Sequence, residues 1–373
     1  KGRYATFRDR LLMQQRPASA ASGRGARAVD QESVLAMHRV LFSSEREFPC
    51  AWARQGFALR GGSFACGLKQ HQGGPCGVLA VVQAMLVRHI SVGGVLAASS
   101  EAAASRLIDS LAGIVWSARV GRLATVVSCR APELPPMREA GDHLVQTSCR
   151  SEEEVRGAIQ AAAGAYTRPS GGGVALLLYS MLLTRGLAMV ARDADFPSPL
   201  VLPNGYCAQE LVNFLLCGRA YSNVFDGERV VGEDGDGSPT RLRGIPRPVP
   251  VGFLTLFERQ GSLLPALSGG DSAEGCVTVG SHLKQPEHPV YVIQSEAHYS
   301  VLWLASDAPP ELDVADTFDV LYFDQLAEAE HPTRLTLRRG HSPPSHPPPL
   351  ESVLLTRWPA AAVVDWNGAE PLL

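Results

Sequence analysis

Across these 373 residues there is no Cys-x-x-Cys pair, no His/Cys cluster at zinc spacing and no internal repeat. Structural-zinc, redox-motif and solenoid readings therefore have nothing to rest on. Charge of one sign is missing too: a net charge of −3 provides no polycation to hold nucleic acid. Long apolar runs are equally scarce. The longest, around Val174 to Leu183, already contains Tyr179 and Ser180 and stops before Arg185, so it is too short to cross a bilayer and reads as a core segment. Eight cysteines, at 50, 66, 76, 129, 149, 207, 217 and 276, lie scattered with no signal peptide before them. That pattern fits reduced thiols in a cytoplasmic, or also nuclear, protein better than a disulfide framework. What remains is a chain with 45% hydrophobic and 19% charged residues, an ordinary globular balance.

Residues 1–30 carry Arg3, Arg8, Arg10, Arg16, Arg24 and Arg27 among Ala, Ser and Gly, and read as a flexible basic segment. The chain opens on Lys1 rather than Met and reads as a piece of a longer protein. Ordered structure is expected from Gln31 to the end, 31–373, as one large domain. It begins with an amphipathic helix through Val34, Leu35, Val40 and Leu41, with His38 at the surface or an interface. An alanine-rich helix is expected from Ser99 to Ile114, and a helix from Cys207 to Cys217 stopped by Gly218. The loop Asp234-Gly-Asp236-Gly-Ser238 resembles a calcium loop only faintly, because Pro239 and Ile245 occupy the positions that need Gly and Glu. Residues 262–275 read as a polar loop and His341 to Pro349 as a proline-rich surface connection.

Chemistry enters at Gln70-His71-Gln72-Gly73-Gly74-Pro75-Cys76-Gly77, which opens the apolar run Val78 to Val87. Apolar residues nearly all round mark a buried helix, with Cys76 at its start. A helix N-terminus and a nearby histidine lower a thiol pKa from about 8.5 to roughly 3.5–7.5. Pro75 suits the first helical turn, Gly73 and Gly74 permit the turn before it, and Gly77 leaves room for a substrate backbone. Gln70 is placed to reach forward as a side-chain oxyanion donor. The plainer reading of Cys76 is a buried structural cysteine.

A partner for the thiol lies far downstream. In Pro289 to Ala305 two β-rich runs flank Gln294 to Glu296, which predicts a hairpin. His298 starts the second strand, with Tyr299, Val301 and Trp303 on one face and His298, Ser300 and Leu302 on the other. A histidine fixed there has the geometry a general base needs. Asp324, at the end of the apolar strand Phe318 to Phe323, is the candidate to orient the imidazole, or else caps the turn before Gln325-Leu326. His71 can line the cleft but is badly spaced to act as base.

With those residues in place, the chain resembles the MINDY family of cysteine deubiquitinases, in the branch of its third and fourth members. The resemblance runs from about residue 35 to the end. It rests on Gln70-x-x-Gly-Gly-Pro-Cys76-Gly-Val-Leu-Ala, Gly205-Tyr206-Cys207-Ala208-Gln209-Glu210-Leu211-Val212-Asn213, Ser222-Asn223-Val224-Phe225, Gly252 to Glu258, Ser295 to Leu302, Arg334 to Leu337 and the tail through Trp366-Asn367-Gly368. It implies catalytic Cys76 and His298, with Gln70 as oxyanion glutamine. It also implies a thiol-dependent hydrolase of isopeptide bonds in polyubiquitin, with preference for chains linked through lysine 48. Polyubiquitin is the implied partner, and no cofactor, metal, nucleic acid or membrane is called for. Tyr322-Phe323-Asp324-Gln325-Leu326 departs from the family's usual Tyr-Tyr-Asp-Gly-Leu pattern, and His71 and Gln72 stand where relatives often carry lysines. Ubiquitin's Arg-Gly-Gly tail suggests a narrow, partly acidic groove, with Glu296 a wall residue or simply an exposed turn carboxylate. The alternatives are a catalytically inactive ubiquitin-binding relative and an unrelated thiol hydrolase or glutamine amidotransferase. The fold expected is α+β and cysteine-protease-like: a central helix carrying Cys76 packed on a twisted antiparallel β-sheet carrying His298.

Overall fold

The computed structural model describes residues 25–91, 99–233, 239–258, 277–305, 308, 315–340 and 347–371. Most of the basic N-terminal segment, the 234–238 loop, the 262–275 loop and residues 341–346 lie outside the described residues. Helix α1 (Gln31–Phe42) starts where expected, because the Asp30 carboxylate accepts the Ser33 N–H at 2.8 Å. Its His38 is not at the surface. It is 1% exposed, with Nδ1 2.6 Å from the Arg46 carbonyl oxygen and Nε2 2.6 Å from the Tyr179 hydroxyl. Phe42, Phe48 and Tyr179 enclose the ring, and burial holds its pKa below the usual imidazole value.

Helix α2 (Cys76–Ser91) is the core helix that its all-apolar run predicts. Val78, Leu79, Val81, Val82, Leu86 and Val87 have no exposed surface. On it packs α3 (Ser100–Ser117), capped by the Ser99 hydroxyl, and on α3 in turn packs the nearly all-interior α4 (Gly173–Arg185). No single described helix is long and apolar enough to cross a membrane; α4 reaches that length only with Leu187–Asp193, from which it is bent by 88°. Helix α5 (Gln209–Cys217) starts two residues after Cys207 and ends at Gly218, whose φ of 71° closes it as expected.

The mixed α+β architecture is completed by a six-stranded sheet. Its strands are β1 (Gly252–Thr255), β2 (Val290–Ser295), β3 (His298–Leu304), β4 (Thr317–Phe323), β5 (Thr333–Arg339) and β6 (Ala361–Asp365), neighbours in that order. The expected all-antiparallel sheet needs correction: β2 to β6 pair antiparallel, but β1 runs parallel to β2. Parallel strands need a crossover, and the long connection from Thr255 to Val290 supplies it. The hairpin is also tighter than expected. Ser295 pairs with His298, so the turn is Glu296-Ala297, and Glu296 takes a φ of 53°.

Alternation along β3 divides the interior in two, as the sequence predicts. Tyr299, Val301 and Trp303 join the large core that contains α2. Leu302 faces a smaller core with Tyr291, Ile293, Val320 and Tyr322, covered by α6 (Pro349–Arg357). The proline-rich connection therefore ends one residue earlier than read, since Pro349 sits in the first turn of α6, where its missing N–H costs nothing. α2 packs directly on β2 and β3, which brings a helix start and a strand start, some 220 residues apart, to one place.

Candidate active site

Cys76 is the first residue of α2 and is 2% exposed. The Val78 and Leu79 N–H groups bond the Pro75 carbonyl at 3.0 and 3.1 Å, so Pro75 stands just outside the helix rather than in its first turn. Of the two glycines before it, only Gly74 is required. Its φ is +125°, and a β-carbon there would meet Trp52 Nε1 at 3.0 Å and the Gly205 oxygen at 3.4 Å. Those two atoms are themselves hydrogen-bonded at 2.9 Å, which ties the turn to the loop before Cys207. Gly73 has open space around it.

The space over Gly77 is not left for substrate. A β-carbon there would lie 2.8 Å from Cys207 Sγ, so Cys207 already fills it. The sulfurs of Cys76 and Cys207 each stand 3.9 Å from the Gly74 carbonyl oxygen. Burial first, and the neighbouring Cys76 second, push the Cys207 thiol pKa up, leaving it protonated. Cys207 went unnoticed as a neighbour of the site because nothing local links it to Cys76.

Gln70 is 3% exposed and held from several sides. Its N–H donates to the Gln325 carbonyl at 2.9 Å, and its Nε2 donates to the Gln72 carbonyl at 2.7 Å. Its Oε1 is buried without a partner. Two further buried glutamines fix the chain on which it rides. Gln55 Nε2 donates to the Lys69 carbonyl at 3.0 Å, while its Oε1 accepts the His71 N–H at 3.0 Å. Gln83, projecting from α2, accepts the Leu68 N–H at 2.7 Å and donates to the Cys66 carbonyl at 3.0 Å. Gln83→Leu removes both partners and strands two buried backbone groups at about 1–3 kcal/mol each. We expect about 2–5 kcal/mol lost in denaturant unfolding; a loss under 1 kcal/mol would refute this role. His71 is exposed and lines a separate cavity of about 280 Å³ with Arg54, Gln72 and Ser170, whose walls do not include Cys76.

His298 starts β3, and Asp324 follows the last residue of β4. The pairs Val301↔Phe323 and Leu302↔Tyr322 put residue 324, in continued register, on the same face as His298. His298 Nε2 lies 3.0 Å from Asp324 Oδ2, as a charged pair rather than a well-directed hydrogen bond. Asp324 makes both contacts at once, because its other oxygen accepts the Leu326 N–H at 2.8 Å and closes the turn. Cys76 is the second polar neighbour of the imidazole. Desolvation works to lower the His298 pKa, but Asp324 and Cys76 together outweigh it and raise it to about 10. Burial works to raise the Asp324 pKa, but His298 and the N–H groups of Leu326 and Ala327 hold it below the usual carboxylate value. The His298 ring thus sits between a carboxylate and a sulfur, the arrangement that activates a sulfur nucleophile. Gln70 adjoins it through Gln325. Glu296 is exposed in its turn. Among the described residues no group of three or more His, Cys, Asp or Glu is arranged to hold a metal.

Comparison with known proteins gives a consistent result. The family model described as "Deubiquitinating enzyme MINDY-3/4, conserved domain" matches residues 38–368. The "Probable ubiquitin carboxyl-terminal hydrolase MINDY-4" of Xenopus tropicalis is 33% identical over 92% of this chain and 47% of its own length. The mouse protein of that name is 34% identical over 93% of this chain and 48% of its own length. The human "Ubiquitin carboxyl-terminal hydrolase MINDY-3" is 30% identical over 70% of this chain and 63% of its own length. The chain thus spans about half the length of the MINDY-4 relatives it matches. No solved structure matches it.

Proposed function

The chain belongs to the MINDY-3/4 family of deubiquitinating enzymes, and from that premise we infer that its site is a thiol-dependent isopeptidase acting on polyubiquitin, with preference for lysine-48 linkages. The geometry that carries the reading is the His298 ring held between Asp324 and Cys76 at the start of α2.

Cys76 as thiolate attacks the carbonyl carbon joining ubiquitin's C-terminal glycine to a lysine of the next ubiquitin. The oxyanion that forms is held by the Cys76 backbone N–H and by the Gln70 amide, whose Nε2 carries a second N–H beyond the one given to Gln72. His298 delivers its proton to the leaving lysine amine, and the tetrahedral carbon collapses to a thioester. Neutral His298 then takes a proton from water, which attacks the thioester, releases the ubiquitin carboxylate and restores the thiolate–imidazolium pair. A reducing compartment, cytoplasmic or nuclear, is the setting in which such a sulfur stays usable.

The test is to incubate the protein with di- to penta-ubiquitin of each linkage and, separately, with ubiquitin carrying a C-terminal electrophile. Cleavage led by lysine-48 chains and an adduct on Cys76 are expected. Binding of chains with neither cleavage nor adduct would leave an inactive ubiquitin-binding protein and overturn the enzymatic reading.

A further inference from the structure

One half-buried guanidinium joins the two sides of the site. Arg60 Nε donates to the Leu68 carbonyl at 3.2 Å, on the chain that leads to Gln70. Its Nη2 donates to the carbonyls of Gln325 at 2.7 Å, Asp324 at 3.4 Å and Ala327, and its Nη1 to Ala329 at 2.9 Å. The guanidinium carbon stands 5.0 Å from the centre of the Phe323 ring, which precedes Asp324. No strand or helix covers residues 324–329, so these carbonyls depend on donors from elsewhere. The Gln325 carbonyl is the junction, since it accepts from both Arg60 and the Gln70 N–H.

We propose that Arg60 is a positioning residue that sets the Asp324 carboxylate against His298 and, through the shared Gln325 carbonyl, sets Gln70 beside Cys76. The proposal rests on the isopeptidase reading for the roles of those residues. The geometry matches what only arginine offers: five N–H donors in a rigid planar fork. Lysine has three donors on a point charge and cannot span Leu68 and Ala329 together. Arg60 carries charge as well as shape, since Asp324 and Glu328 are the acids that bear on it. The charged and titratable groups that bear on His298 are Asp324 and Cys76; Cys207 and Tyr299 bear on Cys76, and Arg60, Glu328 and Tyr322 stand in the surroundings of Asp324.

Two readouts on Arg60→Ala and Arg60→Lys test the idea. In chain cleavage, kcat is expected to fall by about 10²-fold in Arg60→Ala with KM nearly unchanged, because misplacement by about 1 Å costs that much. In the pH profile of Cys76 alkylation by iodoacetamide, the alkaline limb is expected to move toward neutrality as Asp324 loosens from His298. Arg60→Lys keeps the charge and is expected to restore less than a tenth of the lost kcat. The alkylation profile needs no ubiquitin. If the wild type cleaves no chain, the isopeptidase reading fails while the alkylation shift still decides the positioning. A pH profile unchanged in a folded Arg60→Lys or Arg60→Ala protein, whatever its melting temperature, would overturn the proposal. So would full kcat in Arg60→Lys.

Discussion

Cys76→Ala and His298→Ala are each expected to cut polyubiquitin cleavage by about 10⁴–10⁶-fold, and the double substitution is expected to cut it no further. The two side chains act as one unit, because the thiolate is the nucleophile and the imidazolium beside it is the acid that releases the lysine amine. Once either is gone, the other has no step left to assist. The substitutions differ in what survives. Cys76→Ala forms no adduct with a ubiquitin electrophile under any condition. His298→Ala keeps the sulfur, so a small alkylating agent still reacts with it as pH rises and the thiol ionises as an ordinary cysteine. Cys76→Ala removes one sulfur atom and leaves the fold intact, whereas His298→Ala also takes the ion-pair partner from the Asp324 carboxylate, so its melting temperature is measured alongside its activity. Single-turnover cleavage and mass-resolved labelling measure both effects. A double mutant that multiplies the two single losses would show that the groups act independently, and the pair would then not be the catalytic unit.

The parts of this site that the sequence made legible are those whose signal is local. Val78 to Val87 is apolar nearly all round and flanked by Gly-Gly-Pro, so the buried helix and its cysteine could be read directly. His298 at the head of an alternating strand was legible for the same reason, and the two cores on either side of β3 follow that alternation. The polar scaffold behind them was not. Gln55, Gln83 and Arg60 satisfy backbone groups well removed in sequence, up to 269 residues away for Arg60, and no pattern around any of them records that duty. His38 is buried by Phe48 and Tyr179, the second of which is 141 residues distant. The parallel pairing of β1 escaped for the same reason, because strand partners across a long crossover leave no local mark. Gln325 shows both sides of the problem. Its departure from the family's glycine was visible, but not that its carbonyl would join Gln70 to Arg60 or that its side chain would be fully buried with neither amide atom partnered.

Removal of the Asp324 charge, as in Asp324→Asn, is expected to move the alkaline limb of cleavage strongly while leaving Cys76 and His298 in place. The carboxylate is a main reason why the His298 pKa stands near 10 against desolvation. An amide keeps the shape and one acceptor but not the charge, so the imidazolium gives up its proton closer to the usual value of about 6.5. Wild-type kcat/KM should therefore fall only as pH climbs toward 10, whereas Asp324→Asn should already decline above neutrality. At pH 7 we expect losses of about 10–10²-fold for Asp324→Asn. For Asp324→Ala we expect about 10²–10³-fold, since it also frees the ring and the Leu326 N–H. Stability carries the same sign. A histidine whose folded pKa is raised contributes fully below its unfolded value and loses that contribution as pH rises through the folded one. The wild-type melting temperature should therefore decline between about pH 6.5 and 10 more steeply than that of Asp324→Asn. Identical alkaline limbs in the two proteins would mean that Asp324 closes its turn and does nothing for the imidazole.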